Sequence, residues 1–219
     1  METQGPDPRA ADAATRERLA RNLARHHRQV VAAEGRRAAA VSVVLMPGPG
    51  GGLVFPLTRR ARRLSAHAGQ YALPGGRIDP GESALEAALR ELREELGVKA
   101  GPDTVLGILD DLPTRSGYLV TPFVLWLERA PRLVPSAGEI AAVHRIPLAD
   151  LFAGQGRGGT RPESGADEGA PGVLSLYIPT LGHDLFAPTA AILEHFREVA
   201  LLGRPHRITV FGEPAFARR

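Results

Sequence analysis

The chain contains no cysteine. That removes disulfide scaffolds, thiolate zinc sites, iron–sulfur clusters and cysteine nucleophiles from consideration. Lysine is almost missing as well: Lys99 stands alone, and the other basic residues are arginines, so a pI of about 9.9 coexists with a net charge of only +3. Spread over 219 residues, so small an excess is no nucleic-acid footprint. The basic N-terminal stretch has no aromatic stacking platform beside it, so no nucleic-acid partner is expected. No apolar run approaches the roughly 20 residues of a membrane span. The opening METQGPDPRAADAATRERLARNLARHHR is charged and lacks the apolar stretch of a secretory signal. A cytoplasmic protein without a membrane partner is the expectation. What is present, 43% hydrophobic and 23% charged residues, is globular in character and fits one core with extensions.

Residues 1–35 read as a loose tail followed by a helix from Thr15 to about Ala33, with Leu19, Leu23, Val30 and Val31 among charges. Ala38–Met46 reads as a buried strand, and PGPGGG turns it into a second strand at Leu53–Thr58. A strong helix is expected at Ser83–Leu96. Ser83 and Glu86 have the spacing of a capping box, and Gly97 stands in the C-terminal capping position. Val105–Asp111 and Tyr118–Glu128 read as two strands, and Ile140–Leu151 as a short strand and turn. Ala153–Gly172 contains no Val, Leu, Ile or aromatic residue and reads as a flexible loop. Pro188–Leu202 reads as an amphipathic helix, with residues 204–219 a C-terminal extension holding a candidate strand, ITVF. The main domain is thus expected over 36–203, of the α+β or α/β class.

Chemistry concentrates in Gly75–Val98, GGRIDPGESALEAALRELREELGV. At ~100° per residue, Leu85, Leu89, Leu92 and Leu96 fall on one stripe and Glu91, Glu94 and Glu95 on another. Ala84, Ala87 and Ala88 lie above the glutamates, a patch of small side chains with room for something to dock. Neighbouring carboxylates repel one another, and salt bridges, protonation or a bound cation relieves them. Oxygen-only ligands suit Mg²⁺ or Mn²⁺. The plainer alternative is a solvated acidic face paired with Arg90 and Arg93.

The spacing decides between them. Gly76, Glu82, Arg90, Glu91, Leu92, Glu94, Glu95, Gly97 and Val98 form G-x5-E-x7-R-E-L-x-E-E-x-G-V within 23 residues. This resembles the signature of the Nudix hydrolases at every specified position. The resemblance implies an α/β/α sandwich around a mixed sheet, Mg²⁺ or Mn²⁺, and hydrolysis of a diphosphate linked to another group. Glu91, Glu94 and Glu95 would be metal ligands with Gly75 beside them, and Glu82 a further acid. Arg90 would orient a neighbouring glutamate, and one of these acids, Glu91 or Glu94 first, or an acid outside the box would orient or deprotonate the attacking water. Glu139 is a further acidic candidate, as general base or distant metal ligand, against the plainer reading of a surface loop charge.

Upstream, LTRRARRLSAHAGQYALPGG (Leu57–Gly76) carries the cluster Arg59, Arg60, Arg62 and Arg63, and arginine forks match phosphate oxygens. The stretch is similar to the additional motif of the coenzyme A diphosphatase branch, with Arg59, His67, Gln70 and Gly76 as candidate substrate contacts. Farther on, Phe186–Ala190 matches that branch only in part. The leading expectation is cleavage of coenzyme A or an acyl derivative to 3′,5′-ADP and a (acyl-)4′-phosphopantetheine. Alternatives are another nucleoside diphosphate derivative, such as ADP-ribose or a dinucleotide, or a ligand-sensing module without turnover, which would not need every glutamate. The partner is therefore a small-molecule nucleotide, and a homodimer is compatible with the sequence.

Overall fold

In the computed structural model, residues 9–61, 70–153, 159–161 and 173–208 are described. The chain begins with α1 (Ala13–Arg25), capped by Asp12, whose side chain accepts from the Thr15 amide. Next come β1 (Arg37–Pro47), β2 (Leu53–Arg60), β3 (Tyr71–Ala72) and β4 (Gly75–Arg77). Helix α2 (Ala84–Leu96) follows, then β5 (Val105–Ile108), β6 (Leu112–Pro113), β7 (Tyr118–Trp126) and β8 (Ile140–Pro147). A single turn, α3 (Asp150–Ala153), leads to β9 (Gly159–Arg161), β10 (Val173–Ile178) and β11 (His183–Phe186). Last comes α4 (Thr189–Phe196), prolonged by a wider turn over Arg197–Leu201.

The main sheet runs β3-β2-β1-β7-β5, with β4 on β1, β6 on β7 and β8 on β2. Its β1–β7 pair is parallel and the rest antiparallel, so the sheet is mixed. The side chains of β1 explain the layering. Val43 and Leu45 point into the cluster that holds Leu19 and Leu23 of α1 and Ile192, Leu193 and Phe196 of α4. Val44 and Met46, one residue out of phase, pack with Leu92 and Leu96 of α2. Both faces are therefore covered by helices, giving the α+β sandwich that the signature implied.

Three local readings change. The first helix stops at Arg25 rather than Ala33, because His26 and Arg28 turn away to bond Asp110 and Asp111, and Val30 is exposed. Inside the expected loop, Ala153 closes α3, and Gly159–Arg161 pairs antiparallel with β10; the rest of that segment lies outside the described residues. The small patch on α2 is not open. Ala87 and Ala88 are fully buried against Ala40 and Phe123, so what docks there is the sheet. Most of the ITVF candidate strand lies outside the described residues.

Candidate active site

Helix α2 is positioned by its own ends. Ser83 and Glu86 complete a reciprocal capping box, and Gly97 closes the helix in the left-handed region at φ 69°. The following loop is tied down by Val134 N–H to Leu96 O and Ser136 N–H to Glu95 O. These contacts fix which face of α2 meets the sheet and how the acidic stripe sits over β4.

The two glycines of β4 account for the close approach. Gly75 has φ 151°, and a side chain there would strike the Ala40 carbonyl and Val41 on β1. A Cβ on Gly76 would run into the Glu91 carboxylate. With both hydrogens in place, β4 pairs with β1 (Ala40 opposite Gly76, Val41 opposite Gly75), and the Gly75 amide donates to Glu95 Oε2 at 3.3 Å.

Arg90 organises the acids. Its Nε and Nη2 hold both oxygens of Glu82 at 2.9 and 3.0 Å, and Nη1 reaches Glu91 Oε1 at 2.9 Å and Glu94 Oε2 at 3.1 Å. Nη2 also donates to the Arg77 carbonyl. One guanidinium thus binds three glutamates and the β4 backbone, as a planar fork can and an ammonium cannot. Glu82 is held below the usual carboxylate range, chiefly by its bonds to Arg90. The Arg90 guanidinium is itself held charged by Glu82.

Glu95 differs from the others. It is 2% exposed, and the cation it pairs with among the described residues, Arg60 Nη1, is 4.0 Å away. Burial, with the Glu91 charge second, pushes its pKa up to about 8. Burial also raises Glu91, with Arg90 opposing the shift. Glu139 is exposed, yet its charge helps raise both glutamates, so the loop after β7 does face the acidic stripe. Glu94 is half exposed at the rim. A buried carboxylate this poorly compensated is an incomplete arrangement, and a divalent cation among Glu91, Glu94 and Glu95 would complete it. The donor set is all oxygen and fits Mg²⁺ or Mn²⁺.

The upstream residues divide. Arg59 is opposite Tyr71 and Ala142 in the β2 pairings, whereas Arg60, after a bulge, is the arginine that turns toward Glu95. The Nε of Arg60 is buried and has no hydrogen-bond partner among the described residues. Sequence reasoning singled out the neighbour; strand alternation puts the two on opposite faces, but which face meets Glu95 left no signal in the string of arginines. The Gln70 carbonyl accepts from the Arg60 amide and so pins the strand. His67 lies outside the described residues.

A family model described as the NUDIX domain matches residues 36–163. Uncharacterized Nudix hydrolases NudL of Yersinia pestis (strain Pestoides F) and Yersinia pseudotuberculosis (serotype O:1b, strain IP 31758) are 39% identical over 131 residues. The match covers 58% of this chain, which in turn spans only 62% of the length of those relatives. Among solved structures, a MutT/nudix family protein from Enterococcus faecalis aligns with a TM-score of 0.50 at 18% identity, over 86% of this chain and 74% of that one. The NUDIX domain of Shewanella oneidensis NrtR, solved with ADP ribose, aligns with a TM-score of 0.45 at 20% identity, over 55% and 78%.

Proposed function

Because the chain belongs to the Nudix family, we propose that it is a metal-dependent diphosphate hydrolase whose substrate is coenzyme A or an acyl derivative. The observation that carries the reading is Glu95: a buried carboxylate beside Glu91, with its pKa raised to about 8 and, among the described residues, a cation no nearer than Arg60 at 4.0 Å, is built to be completed by a divalent ion. Mg²⁺ or Mn²⁺ held by Glu91, Glu94 and Glu95 would neutralise diphosphate oxygens and make a bound water more acidic.

The chain's own groups supply the rest. Arg90 holds Glu82, Glu91 and Glu94 in one fixed array, so no side chain has to reorganise as charge develops. Gly75 and Gly76 keep the β4 backbone within reach of the carboxylates. Glu139 faces the stripe from outside, exposed to water, which suits a group that takes a proton from the attacking water. Arg60 borders Glu95 and is placed to meet a phosphate there. The coenzyme A preference is supported by the likeness of Leu57–Gly76 to the diphosphatase motif.

A substrate panel tests the reading. Coenzyme A, acetyl-coenzyme A, 3′-dephospho-coenzyme A, ADP-ribose and a dinucleoside polyphosphate are assayed with Mg²⁺, with Mn²⁺ and with chelator. Coenzyme A or its acetyl form should give the highest kcat/KM, with 3′,5′-ADP as a product and no turnover in chelator. Faster cleavage of ADP-ribose or the dinucleotide would overturn the substrate, and turnover in chelator would overturn the metal role.

A further inference from the structure

A second group of ionisable side chains lies at the corner between β5 and β6, where the segment after α1, helix α4 and the chain beyond it converge. Asp110 is 1% exposed and His195 fully buried, and the His26 side chain is nearly so. Asp110 Oδ1 accepts from His26 Nε2 at 2.7 Å, from the Gln29 amide at 2.8 Å and from Arg207 Nη1 at 3.1 Å. Its Oδ2 also meets Arg207, at 3.2 Å, and faces His195 Nε2 at 3.6 Å.

The His195 ring sets the problem. Its Nδ1 is 3.0 Å from His206 Nδ1, so one of these nitrogens donates to the other. Among the described residues its Nε2 receives the Asp110 amide alone, at a long 3.4 Å, and so carries a lone pair rather than a proton. Burial keeps the ring neutral, with its pKa down to about 4. A lone pair and a carboxylate oxygen therefore face each other in a dry site with no proton between them. Two acceptors in that relation repel, and a cation between them reverses the sign.

We propose that His26, Asp110 and His195 form a second metal site, separate from the glutamate stripe and suited to a borderline divalent ion, best Zn²⁺. One ligand atom from each lies within 4.8 Å of the others. With metal bonds of ~2.0–2.2 Å, tetrahedral ligand atoms stand ~3.4 Å apart. His26 Nε2 and Asp110 Oδ1 would therefore part from 2.7 Å to admit the ion, while His195 Nε2 and Asp110 Oδ2, at 3.6 Å, already have that spacing, and a fourth position is left for water. Two imidazoles and a carboxylate discriminate against Mg²⁺, which prefers oxygen alone. The partner of His195 Nδ1 is already present in His206, as an outer contact that orients the ring. Arg207, half exposed, now supplies the positive charge at Asp110 and would be displaced. The ligands come from positions 26, 110 and 195, so the ion would clasp both ends of the chain to the sheet.

The test uses the full chain stripped of metal and then held in excess Mg²⁺, so that the glutamates are supplied with their own ion. Zn²⁺ should raise Tm, and Co²⁺ should give the visible bands of a four- or five-coordinate nitrogen-containing site. His26→Ala should weaken Zn²⁺ binding at least ~10-fold and abolish the Co²⁺ bands. Arg207→Ala should tighten Zn²⁺ binding by removing the competing cation, whereas a plain hydrogen-bond hub would only lose stability. Neither variant should alter Mg²⁺-dependent turnover, so failure here is distinguishable from failure of the hydrolase reading. No Tm gain and no bands in the wild-type chain, unchanged binding in His26→Ala, or weaker binding in Arg207→Ala would each overturn the site.

Discussion

Replacing Glu95 with Gln should make the metal-free protein more stable and the enzyme nearly inactive. The folded-state pKa of Glu95 is about 8 against an ordinary 4.5. Below the ordinary value both folded and unfolded chains are protonated at this site, and it contributes nothing. Between the two values the folded state keeps a proton that the unfolded state has released, so stability falls as pH rises through this window. At ~1.36 kcal/mol per unit, the loss is up to ~3 kcal/mol at pH 7 and approaches ~4–5 kcal/mol above pH 8. Gln cannot ionise and escapes it. For a chain of this size ~1 kcal/mol corresponds to about 2–4 °C in Tm.

The assay is thermal unfolding of both proteins in chelator across pH 4.5–8.5. The variant's Tm should match the wild type at the acid end and exceed it by several degrees near pH 8. Added Mn²⁺ should raise the wild type and leave the variant almost unmoved, because the ion gains from a carboxylate it can deprotonate. Two Tm curves that run parallel from pH 5 to pH 8.5 without metal would refute the argument, since they would mean that Glu95 ionises freely.

Other expectations follow from the same geometry. Turnover of Glu95→Gln should fall by at least ~10²-fold, read as kcat with Mg²⁺ in excess. Arg90→Lys keeps the charge but cannot span Glu82, Glu91 and Glu94; a ~10²-fold drop in kcat is expected, and Arg90→Lys with wild-type kinetics would show the array to be dispensable. Gly76→Ala drives a methyl group into the Glu91 carboxylate, so metal affinity should fall in a calorimetric titration. Glu139→Gln should lower kcat by ~10²-fold or more with Mg²⁺ in excess, and an unchanged kcat would remove Glu139 from the chemistry. Arg60→Ala should raise KM more than Arg59→Ala does, and the reverse order would return the phosphate contact to Arg59.

Helix α2 was legible because its signals are local. Capping box, leucine stripe and terminal glycine all lie within the helix and its caps, and each points to the same span. The acidic stripe followed from the same periodicity. What the wheel could not show is that the stripe is divided by depth: Glu95 is buried against β4 while Glu94 is half exposed. Depth depends on how closely β4 approaches, and that rests on Gly75 and Gly76 pairing with β1, a contact across some 35 residues of sequence. The alanines above the stripe were misread for the same reason. Small residues on a helix signal a close approach, but the helix cannot say whether a ligand or a strand makes it.

The arginines and histidines show a second limit. Arg59 and Arg60 are equivalent as charges in a string of arginines; as neighbours on β2 they point to opposite faces of the sheet, and only the packing around β2 tells which face meets Glu95. At the far corner, His26, His195 and Asp110 are separated by 84 and 85 positions, and none stands in a motif. Sequence spacing identifies ligands when one element carries them, as α2 carries its glutamates. It is silent when three elements contribute one residue each. There the clue is physical: a buried lone pair opposite a buried carboxylate costs stability unless a proton or a metal ion joins them, and the Asp110 amide aimed at His195 Nε2 keeps that nitrogen an acceptor.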